Sequence, residues 1–351
     1  MADRSAAAGA TGWLQVLTSG PGVSQVDGVD PLGTLIRAEL EVRWARGTGL
    51  LDSICHYALV PTGKLLRPIM LLESALAVGG DLNQVLPAAV GAECGHVASL
   101  IHDDIIDDDD LRRRRPSVQH KFGIGDAIVA GDALIFDLFA SLAECRRRGV
   151  PADQVVSALE AVARAGMDLC QGQTLESELT RNVSFDEIGY LTVARLKTGS
   201  LFKGACECGA ILGGGRKEWT DALAAYGVHL GVAFQIQDDL LAYVSDTGRT
   251  GKPAASDVQN GRVTLPVILA HNASDPGQRR VIRRAIGGGA PSDRALDTLR
   301  ELLRRTGSLA AATAVGHEHA AQAQAALAVL PAGPSRDRLS CLAELVLTRD
   351  R

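Results

Sequence analysis

Two short runs of paired aspartates stand out because each follows a long apolar segment. The first run contains Asp103 and Asp107, and the second contains Asp238. On a helix, Asp103 and Asp107 lie one turn apart on one face, where two carboxylates repel each other unless a cation lies between them. Mg²⁺ accepts such oxygen ligands, keeps several waters and bridges readily to phosphates. The spacing therefore indicates a magnesium site that handles a phosphorylated ligand.

Basic residues accompany the acidic runs. Four arginines, Arg112 to Arg115, come directly after the first run. Residues 63–68, with the sequence Gly-Lys-Leu-Leu-Arg-Pro, put Lys64 and Arg67 near the start of a predicted helix, where free backbone N–H groups favour anions. One guanidinium group can donate two parallel hydrogen bonds to the oxygens of a phosphate. These clusters indicate that the phosphorylated ligand is a polyanion.

A solvated surface loop is the main alternative interpretation, since charge runs are usually exposed. Against it, one predicted helical stripe runs from small residues through a histidine to the carboxylates. The stripe contains Ala92, His96, Ser99, Asp103 and Asp107. A purely solvated face would not follow the apolar residues 97–101. By itself, His96 on an apolar stripe is interpreted as a buried core histidine.

Composition limits the fold and the function. The chain has 351 residues, of which 46% are hydrophobic and 4% aromatic. Because Ala, Leu and Val supply most of the apolar residues, we predict an all-helical protein. A net charge of −5 gives no support to nucleic-acid binding. Seven scattered cysteines, and the lack of a signal-peptide or membrane-span pattern, predict a cytoplasmic protein without a transmembrane segment.

Apolar periodicity from Pro31 onward predicts a succession of helices separated by Gly or Pro. The predicted helices include 65–78, 86–107, 127–147, 152–179, 185–212, 219–244 and 308–329. Residues 1–28 are rich in Gly, Ser and Ala and are predicted to be a flexible lead-in. No composition break or repeat divides the remainder, so we predict one domain over residues 29–351.

Taken in order, these motifs resemble those of the trans-isoprenyl (polyprenyl) diphosphate synthases, of the geranylgeranyl or longer-chain type. The resemblance covers residues 32–269, which is most of the chain. With x for any residue, the matching motifs are Gly-Lys-x-x-Arg-Pro at 63–68, Glu-x-x-His at 93–96, Asp-Asp-x-x-Asp at 103–107, Arg-Arg at 112–113, Gly-Asp at 131–132, Gly-Gln at 172–173, Lys-Thr-Gly at 197–199, Phe-Gln-x-x-Asp-Asp at 234–239 and Gly-Lys at 251–252. Agreement of so many spaced elements is highly specific.

This resemblance implies a fold and a reaction. The fold would be a single all-α domain of long antiparallel helices around a central active-site cavity, in a homodimer. The enzyme would condense isopentenyl diphosphate with an allylic diphosphate by Mg²⁺-dependent ionisation, condensation and deprotonation. The implied ligands of three Mg²⁺ ions are Asp103, Asp107 and Asp238, which with Lys197 are the implied catalytic residues.

The resemblance also implies which side chains bind the substrates. The residues implied to bind the allylic diphosphate are Arg112, Lys197 and Lys252. The residues implied to bind isopentenyl diphosphate are Lys64, Arg67, His96 and Arg113. Thr198 and Gln235 would line the reacting region.

Three departures from the family pattern are visible. Ala242 stands where the second acidic motif often has its last aspartate, Arg114 replaces a common glycine, and Arg262 replaces a common lysine. The implied metal ligand Asp238 and the positive charges remain. We therefore expect activity to survive with a somewhat altered metal site.

Product length depends on the side chains in front of the first aspartate motif. Bacterial farnesyl diphosphate synthases and many geranylgeranyl synthases carry an aromatic residue at one of two positions, which here are Ala98 and Ser99. A bulky side chain there stops growth of the product chain in this family. Gly95 and Ala92 are small as well. We therefore predict an all-trans product of C20 or longer, unless Phe136, Phe139 or the partner subunit closes the tunnel.

Two other functions remain open. A class I terpene cyclase shares the fold and the first aspartate motif, but it needs no isopentenyl site, so Lys64, Arg67 and Arg113 argue against it. A non-catalytic synthase subunit would show no Mg²⁺-dependent turnover with both substrates. The first motif, which such subunits typically lose, is present here.

Overall fold

The computed structural model describes residues 30–45, 47, 49–244, 261–287 and 293–348. In chain order the helices are α1 (Pro31–Arg43), α2 (Leu50–Leu59), α3 (Leu66–Ala77), α4 (Leu82–Asp107), α5 (Val118–Phe122), α6 (Ile124–Arg147), α7 (Ala152–Arg181), α8 (Glu187–Val193), α9 (Ser200–Leu212), α10 (Lys217–Val244), α11 (Leu265–Ala273), α12 (Pro276–Gly287), α13 (Asp293–Arg305), α14 (Ser308–Ala326) and α15 (Pro334–Thr348). A π-helical segment (Ala194–Gly199) joins α8 to α9, and a 3₁₀ turn (Leu327–Val329) follows α14. The prediction of an all-α protein is confirmed.

A two-residue hairpin, which the sequence analysis did not predict, follows α4. Strand β1 (Leu111–Arg112) pairs antiparallel with β2 (Arg115–Pro116), with Arg112 opposite Arg115. Both turn residues between them have positive φ, 51° at Arg113 and 62° at Arg114. Two-residue hairpins favour this backbone and usually place Asn, Asp or Gly there. The arginine run therefore carried no hairpin signal.

Helix α4 starts earlier than predicted. Its first residue is Leu82, because Asp81 caps the helix by accepting a hydrogen bond from the Gln84 N–H at 3.1 Å. Pro87 lies inside the helix, where it removes one backbone hydrogen bond without ending it. The prediction that this helix begins at residue 86, beside Pro87, was therefore wrong.

The predicted helix over residues 185–212 is interrupted. Helix α8 ends at Val193, and the π-helical segment carries Lys197 and Thr198 before α9 begins. Gly172 of α7 lies against this segment, since a Cβ there would be 2.5 Å from the Lys197 backbone nitrogen. Single π turns inside helices are frequent at functional sites. Periodicity analysis does not distinguish such a turn from continuous helix.

The described chain forms two compact units. Unit 1 contains the residues up to Arg164, Leu201–Ala225 and Ala326–Cys341. Its core includes the fully buried Met70, Leu134 and Phe202. The carboxylate of Glu73, 1% exposed, accepts two hydrogen bonds from Arg338 at 2.5 and 2.9 Å. A buried carboxylate needs such a partner, and the ion pair fixes α15 against α3 inside this unit.

Unit 2 contains Ala165–Ser200, Tyr226–Ala325 and the residues from Leu342 onward. One buried cluster surrounds Tyr243, Val267 and Ile282, and a second surrounds Tyr190, Ile236, Leu240 and Ala312. Ala242 packs against the first cluster. The departure from aspartate at this position therefore places a small apolar side chain against an apolar neighbourhood.

No helix in the described ranges is long and apolar enough to cross a lipid bilayer. The predicted lead-in, residues 1–28, lies outside the described residues, and the proposal of one domain over residues 29–351 stays a prediction.

Candidate active site

The first aspartate motif occupies the last turn of α4 in unit 1. Asp103 and Asp107 are both partly exposed, whereas Asp104 between them is 2% exposed. The helix ends at Asp107 because Asp108 adopts a left-handed conformation with φ 53°. The Asp109 N–H then donates a hydrogen bond to the Asp104 carbonyl oxygen at 2.9 Å. The i, i+4 spacing predicted from the sequence is therefore present, with the two outer carboxylates reaching solvent.

Arg112 of β1 forms an ion pair with the buried Asp104. Its Nε lies 2.7 Å from both carboxylate oxygens, and its Nη2 lies 2.5 Å from Oδ1. Burial opposes the charge on Arg112, but the hydrogen bonds to Asp104 outweigh it and raise the pKa of Arg112 above its ordinary value. The guanidinium is therefore a permanent cation with a fixed orientation.

Arg113 lies against the Gly-Lys-x-x-Arg-Pro motif. A Cβ on Gly63 would be 2.9 Å from Arg113 Cζ and closer still to Nη2, so the lack of a side chain at Gly63 leaves room for the guanidinium in this position. The positive φ of Arg113 and Arg114 aims the two side chains of the turn. It also explains why glycine is common at the position of Arg114, because glycine adopts this backbone without steric cost.

Arg67, near the start of α3, contacts His96 of α4. Its Nη1 lies 3.2 Å from His96 Nε2, and its Cζ lies 4.5 Å from the centre of the Phe202 ring. A guanidinium only donates hydrogen bonds, so Nε2 accepts and the neutral imidazole carries its proton on Nδ1. That Nδ1 is buried and has no hydrogen-bond partner among the described residues.

Electrostatics in this region favour a bound anion. Burial, reinforced by the charges of Arg67, Arg113 and Arg112, holds the pKa of His96 well below its ordinary value. Burial raises the pKa of Glu93, although Arg113 and Arg67 act in the opposite direction. Burial and neighbouring arginines lower the pKa of Arg113, while Glu93 opposes this shift. Cations in such proximity are stabilised by an added negative charge.

The Gly-Asp motif at 131–132 contacts α4 through His102. A Cβ on Gly131 would overlap the His102 imidazole, whose Nε2 lies 3.6 Å from Asp132 Oδ1. The motif therefore allows α6 to approach α4 beside Asp103.

In unit 2, Glu176 of α7 lies beside Lys197. The Lys197 Nζ is 2.6 Å from Glu176 Oε2, and Arg262 Nη2 is 3.9 Å from the same oxygen. Gly172 lies one turn before Glu176 on α7 and permits the close approach of the π-helical segment. The Gly-Gln motif thus has a steric reason, and Glu176 is a contact that the sequence analysis missed.

A chain of hydrogen bonds connects the other unit 2 residues. Thr198 Oγ1 donates to Gln235 Oε1 at 2.7 Å, and Gln235 Nε2 donates to Asp239 Oδ1 at 2.8 Å. Tyr190 OH donates to Asp239 Oδ2 at 2.6 Å. Asp239 is 6% exposed, whereas its neighbour Asp238 is exposed. The bonds fix the amide orientation of Gln235 and leave Asp238 directed to solvent.

The donor chemistry fits magnesium. Asp103 and Asp107 offer hard carboxylate oxygens one helical turn apart, and Asp238 offers a third at the surface of unit 2. Mg²⁺ is commonly held by one or two carboxylates together with waters and substrate phosphates. Within the described ranges, no group of three or more His, Cys, Asp or Glu side chains forms a metal site by itself.

Comparison with known families decides the class of the protein. The sequence pattern of the polyprenyl synthetase family matches residues 48–303, well over half of the chain. The chain belongs to the polyprenyl synthetase family. It is therefore a prenyltransferase, and the prediction that it is an enzyme of this class is confirmed.

Relatives of this polyprenyl synthetase family member have different product classes. A short chain isoprenyl diphosphate synthase of Methanothermobacter thermautotrophicus is 37% identical over 84% of this chain and 89% of its own. An octaprenyl diphosphate synthase of Escherichia coli is 32% identical over 86% of this chain and 91% of its own. A crystal structure of a polyprenyl synthase from Caulobacter crescentus, complexed with calcium and isoprenyl diphosphate, has a TM-score of 0.85 and 29% identity, and covers 98% of this chain and 99% of that one.

Each unit of this polyprenyl synthetase family member collects several of the predicted site residues. Unit 1 brings Arg67, His96 and Arg113 together, and unit 2 links Thr198 to Gln235. Lys64 is exposed directly before α3. Lys252 lies outside the described residues. The roles given to these side chains stay predictions. Gln119, Glu176 and Tyr190 make contacts at the site but lie in no motif of the sequence, and Asp104 lies in the first motif, which did not indicate its pairing with Arg112.

Proposed function

We propose that this prenyltransferase condenses isopentenyl diphosphate onto an allylic diphosphate and releases an all-trans polyprenyl diphosphate of C20 or longer. The proposed metal ligands are Asp103, Asp107 and Asp238, with three Mg²⁺ ions per active site. Seven cysteines without disulfide bonds support a reducing compartment, and we place the enzyme in the cytoplasm.

One observation carries this proposal. Three separate motifs converge in unit 1, since Arg113 lies against Gly63 and Arg67 contacts His96. The His96 Nδ1–H is a buried donor without a described partner, and the surrounding arginines repel one another. A diphosphate would satisfy both needs. Such a second diphosphate site is what a condensing enzyme requires and a terpene cyclase does not.

The remaining residues support departure of diphosphate from the allylic substrate. Arg112 and Lys197 are cations held in fixed positions by Asp104 and Glu176. Donors that are already oriented stabilise the charge that develops on the leaving group. When bound, Mg²⁺ would supply further charge stabilisation of the diphosphate.

The hydrogen-bonded Thr198 and Gln235 support a role beside the allylic cation. Both oxygens are oriented before substrate binds, because Asp239 and Tyr190 fix the Gln235 amide. The released diphosphate would accept the proton that ends each condensation. No protein base is required in this scheme.

We propose that the enzyme works as a homodimer. Helix α6 exposes Ile124, Ile128, Val129 and Phe136 on one face, and Phe136 is 73% exposed. Exposed apolar residues on a shared face are typical of an oligomer interface. Light scattering should give the dimer mass for the wild type, and Phe136→Asp should shift the mass toward the monomer. A monomeric wild type would contradict the proposal.

The proposed product length depends on Ala98 and Ser99. Ala98 is fully buried, and Ser99 Oγ bonds to the His96 carbonyl oxygen at 2.7 Å. At Gly95, a Cβ would lie 2.8 Å from Leu138 Cδ2 of α6, so Leu138 packs closely against this glycine. Ser99→Phe should shorten the product, whereas Ser99→Ala should not.

Incubation of the full chain with radiolabelled isopentenyl diphosphate, Mg²⁺ and each allylic primer in turn tests the function. We expect labelled products that lengthen in five-carbon steps and disappear with a chelator. Turnover of the primer without incorporation of label would favour a cyclase. No turnover by the folded protein would favour a non-catalytic subunit.

A further inference from the structure

Asp104 follows Asp103 in sequence but has a different environment. Successive residues of a helix point about 100° apart, and here that rotation turns Asp104 into the protein while Asp103 stays partly exposed. The Asp104 carboxylate is 2% exposed and pairs with Arg112 through Nε and Nη2. A charge buried to this extent is stable only with a well-placed partner. The first motif therefore contains one carboxylate, that of Asp104, which faces the protein interior and forms an ion pair with Arg112.

The loop that carries Arg112 is tied to the end of α4 at several points. Gln119 Nε2 donates to the carbonyl oxygens of Asp104 at 2.7 Å and Asp109 at 3.2 Å. The Ser117 N–H donates to the Asp110 carbonyl oxygen at 2.8 Å, across the base of the hairpin. These bonds fix the position of the backbone on both sides of Arg112.

The pairing uses one edge of the guanidinium. A guanidinium has five N–H donors in one rigid plane, and here the Nε and Nη2 donors contact the Asp104 carboxylate. The Nη1 side is then directed away from Asp104, and the Arg112 side chain is 28% exposed. Because the ion pair with Asp104 already fixes the rotamer of Arg112, binding a phosphate oxygen through the opposite edge of the guanidinium costs little further side-chain entropy.

We propose that Asp104, supported by Gln119, is a positioning residue that orients Arg112 toward the allylic diphosphate and does not bind metal. This inference rests on the proposed function, because it concerns the substrate of that same site.

The substitution Asp104→Asn tests the proposal, since asparagine keeps the shape and removes the charge. We expect the KM for the allylic diphosphate, and the dissociation constant of inorganic pyrophosphate with Mg²⁺, to rise about tenfold. The Mg²⁺ concentration for half-maximal activity should stay within about twofold of the wild type. Asp103→Asn should raise that Mg²⁺ concentration. Asp110→Asn, an exposed acid of the same loop, should change none of these values.

A double-mutant cycle with Arg112→Gln separates positioning from general damage. If Asp104 acts through Arg112, then Asp104→Asn should have little further effect on pyrophosphate binding once Arg112 is replaced. Additive effects would overturn the proposal. A Mg²⁺ requirement that rises as much in Asp104→Asn as in Asp103→Asn would also overturn it, because Asp104 would then be a ligand.

Two further measurements keep the test decisive. If Asp104→Asn does not fold, Gln119→Met removes both loop contacts without burying an unpaired charge, and it should weaken pyrophosphate binding without changing the Mg²⁺ requirement. Unchanged pyrophosphate binding in Gln119→Met would overturn the proposal. If the wild type turns over no prenyl substrate, the proposed function fails, but the pyrophosphate cycle still decides the role of Asp104.

Discussion

The two aspartate doublets, Asp103–Asp104 and Asp238–Asp239, have the same pattern of exposure, but different contacts hold their buried carboxylates. In each, the first carboxylate reaches solvent, and the second is buried, with Asp104 2% and Asp239 6% exposed. Asp104 is paired with a cation eight residues further along its own chain segment. Asp239 accepts hydrogen bonds from Gln235 on its own helix and from Tyr190, 49 residues away. One arrangement is mainly local, whereas the other depends on the packing of unit 2.

This difference indicates where each doublet is vulnerable. The first depends on a hairpin with two positive-φ arginines, so its geometry is fixed by the backbone of one loop. The second depends on α7, whose Gly172 allows the π-helical segment to approach. Substitutions in unit 2 should therefore disturb the site from a greater distance along the sequence.

The largest expected effect is on catalysis, and it tests whether Asp103 and Asp238, the first residues of the two doublets, both bind Mg²⁺. Asp238→Asn should lower kcat by about 100-fold or more at a fixed Mg²⁺ concentration, because a metal ligand for the leaving diphosphate is lost. Raising Mg²⁺ should restore part of the activity, as for Asp103→Asn. A loss that Mg²⁺ does not ease would show that the two doublets differ in function. Steady-state kinetics over a range of Mg²⁺ concentrations gives the answer.

A backbone substitution tests the dependence of unit 2 on close packing. Gly172→Ala should lower the free energy of unfolding by about 1–3 kcal/mol and reduce activity, because its Cβ would meet the Lys197 backbone. Gly166→Ala on the same helix is the matched control. Nothing lies within 4 Å of a Cβ at that position, so this variant should gain up to about 1 kcal/mol. Equal urea midpoints for the two variants would contradict the packing argument.

A smaller effect should separate a buried hydrogen bond from an exposed one. Tyr190→Phe removes a donor to the buried Asp239 and should lower the free energy of unfolding by about 1–2 kcal/mol. Tyr57→Phe removes a hydrogen bond to the carbonyl oxygen of Pro116 at the surface, and should have a smaller effect. If Tyr57→Phe destabilised the protein more, the second doublet would not depend on Tyr190 as described.

The pH dependence of stability reports on His96. Burial and the neighbouring arginines keep its pKa in the folded state well below its ordinary value of 6.5, so the unfolded chain binds a proton first as pH falls. The stability that the neutral ring contributes is full above pH 6.5 and is lost as pH falls toward the folded-state pKa. His96→Gln should make the decline between pH 7.5 and 5.5 shallower. An unchanged slope in urea titrations would contradict this expectation, because it would mean that the pKa of His96 is the same in the folded and the unfolded chain.

The fold class and most residues of the candidate site could be predicted from the sequence, but few of the contacts that these residues make could be. Helix α4 ends at Asp107 as predicted, because an apolar stripe and a terminal acidic run are local signals. The start of α4 was misplaced, because Pro87 is a weaker signal than the Asp81 cap. The π-helical segment was missed, because one inserted residue changes the hydrophobic period too little to detect.

The sequence by itself determined which side chains have the chemistry for diphosphate and magnesium. It also determined that Asp103 and Asp107 share one helical face, since helical spacing is a property of neighbouring residues. Tertiary structure decided which aspartate of each doublet is buried, and which partner holds each cation. The Lys197–Glu176 pair joins residues 21 apart, and Tyr190–Asp239 joins residues 49 apart. Contacts over such distances depend on how helices pack, and a linear pattern does not encode them.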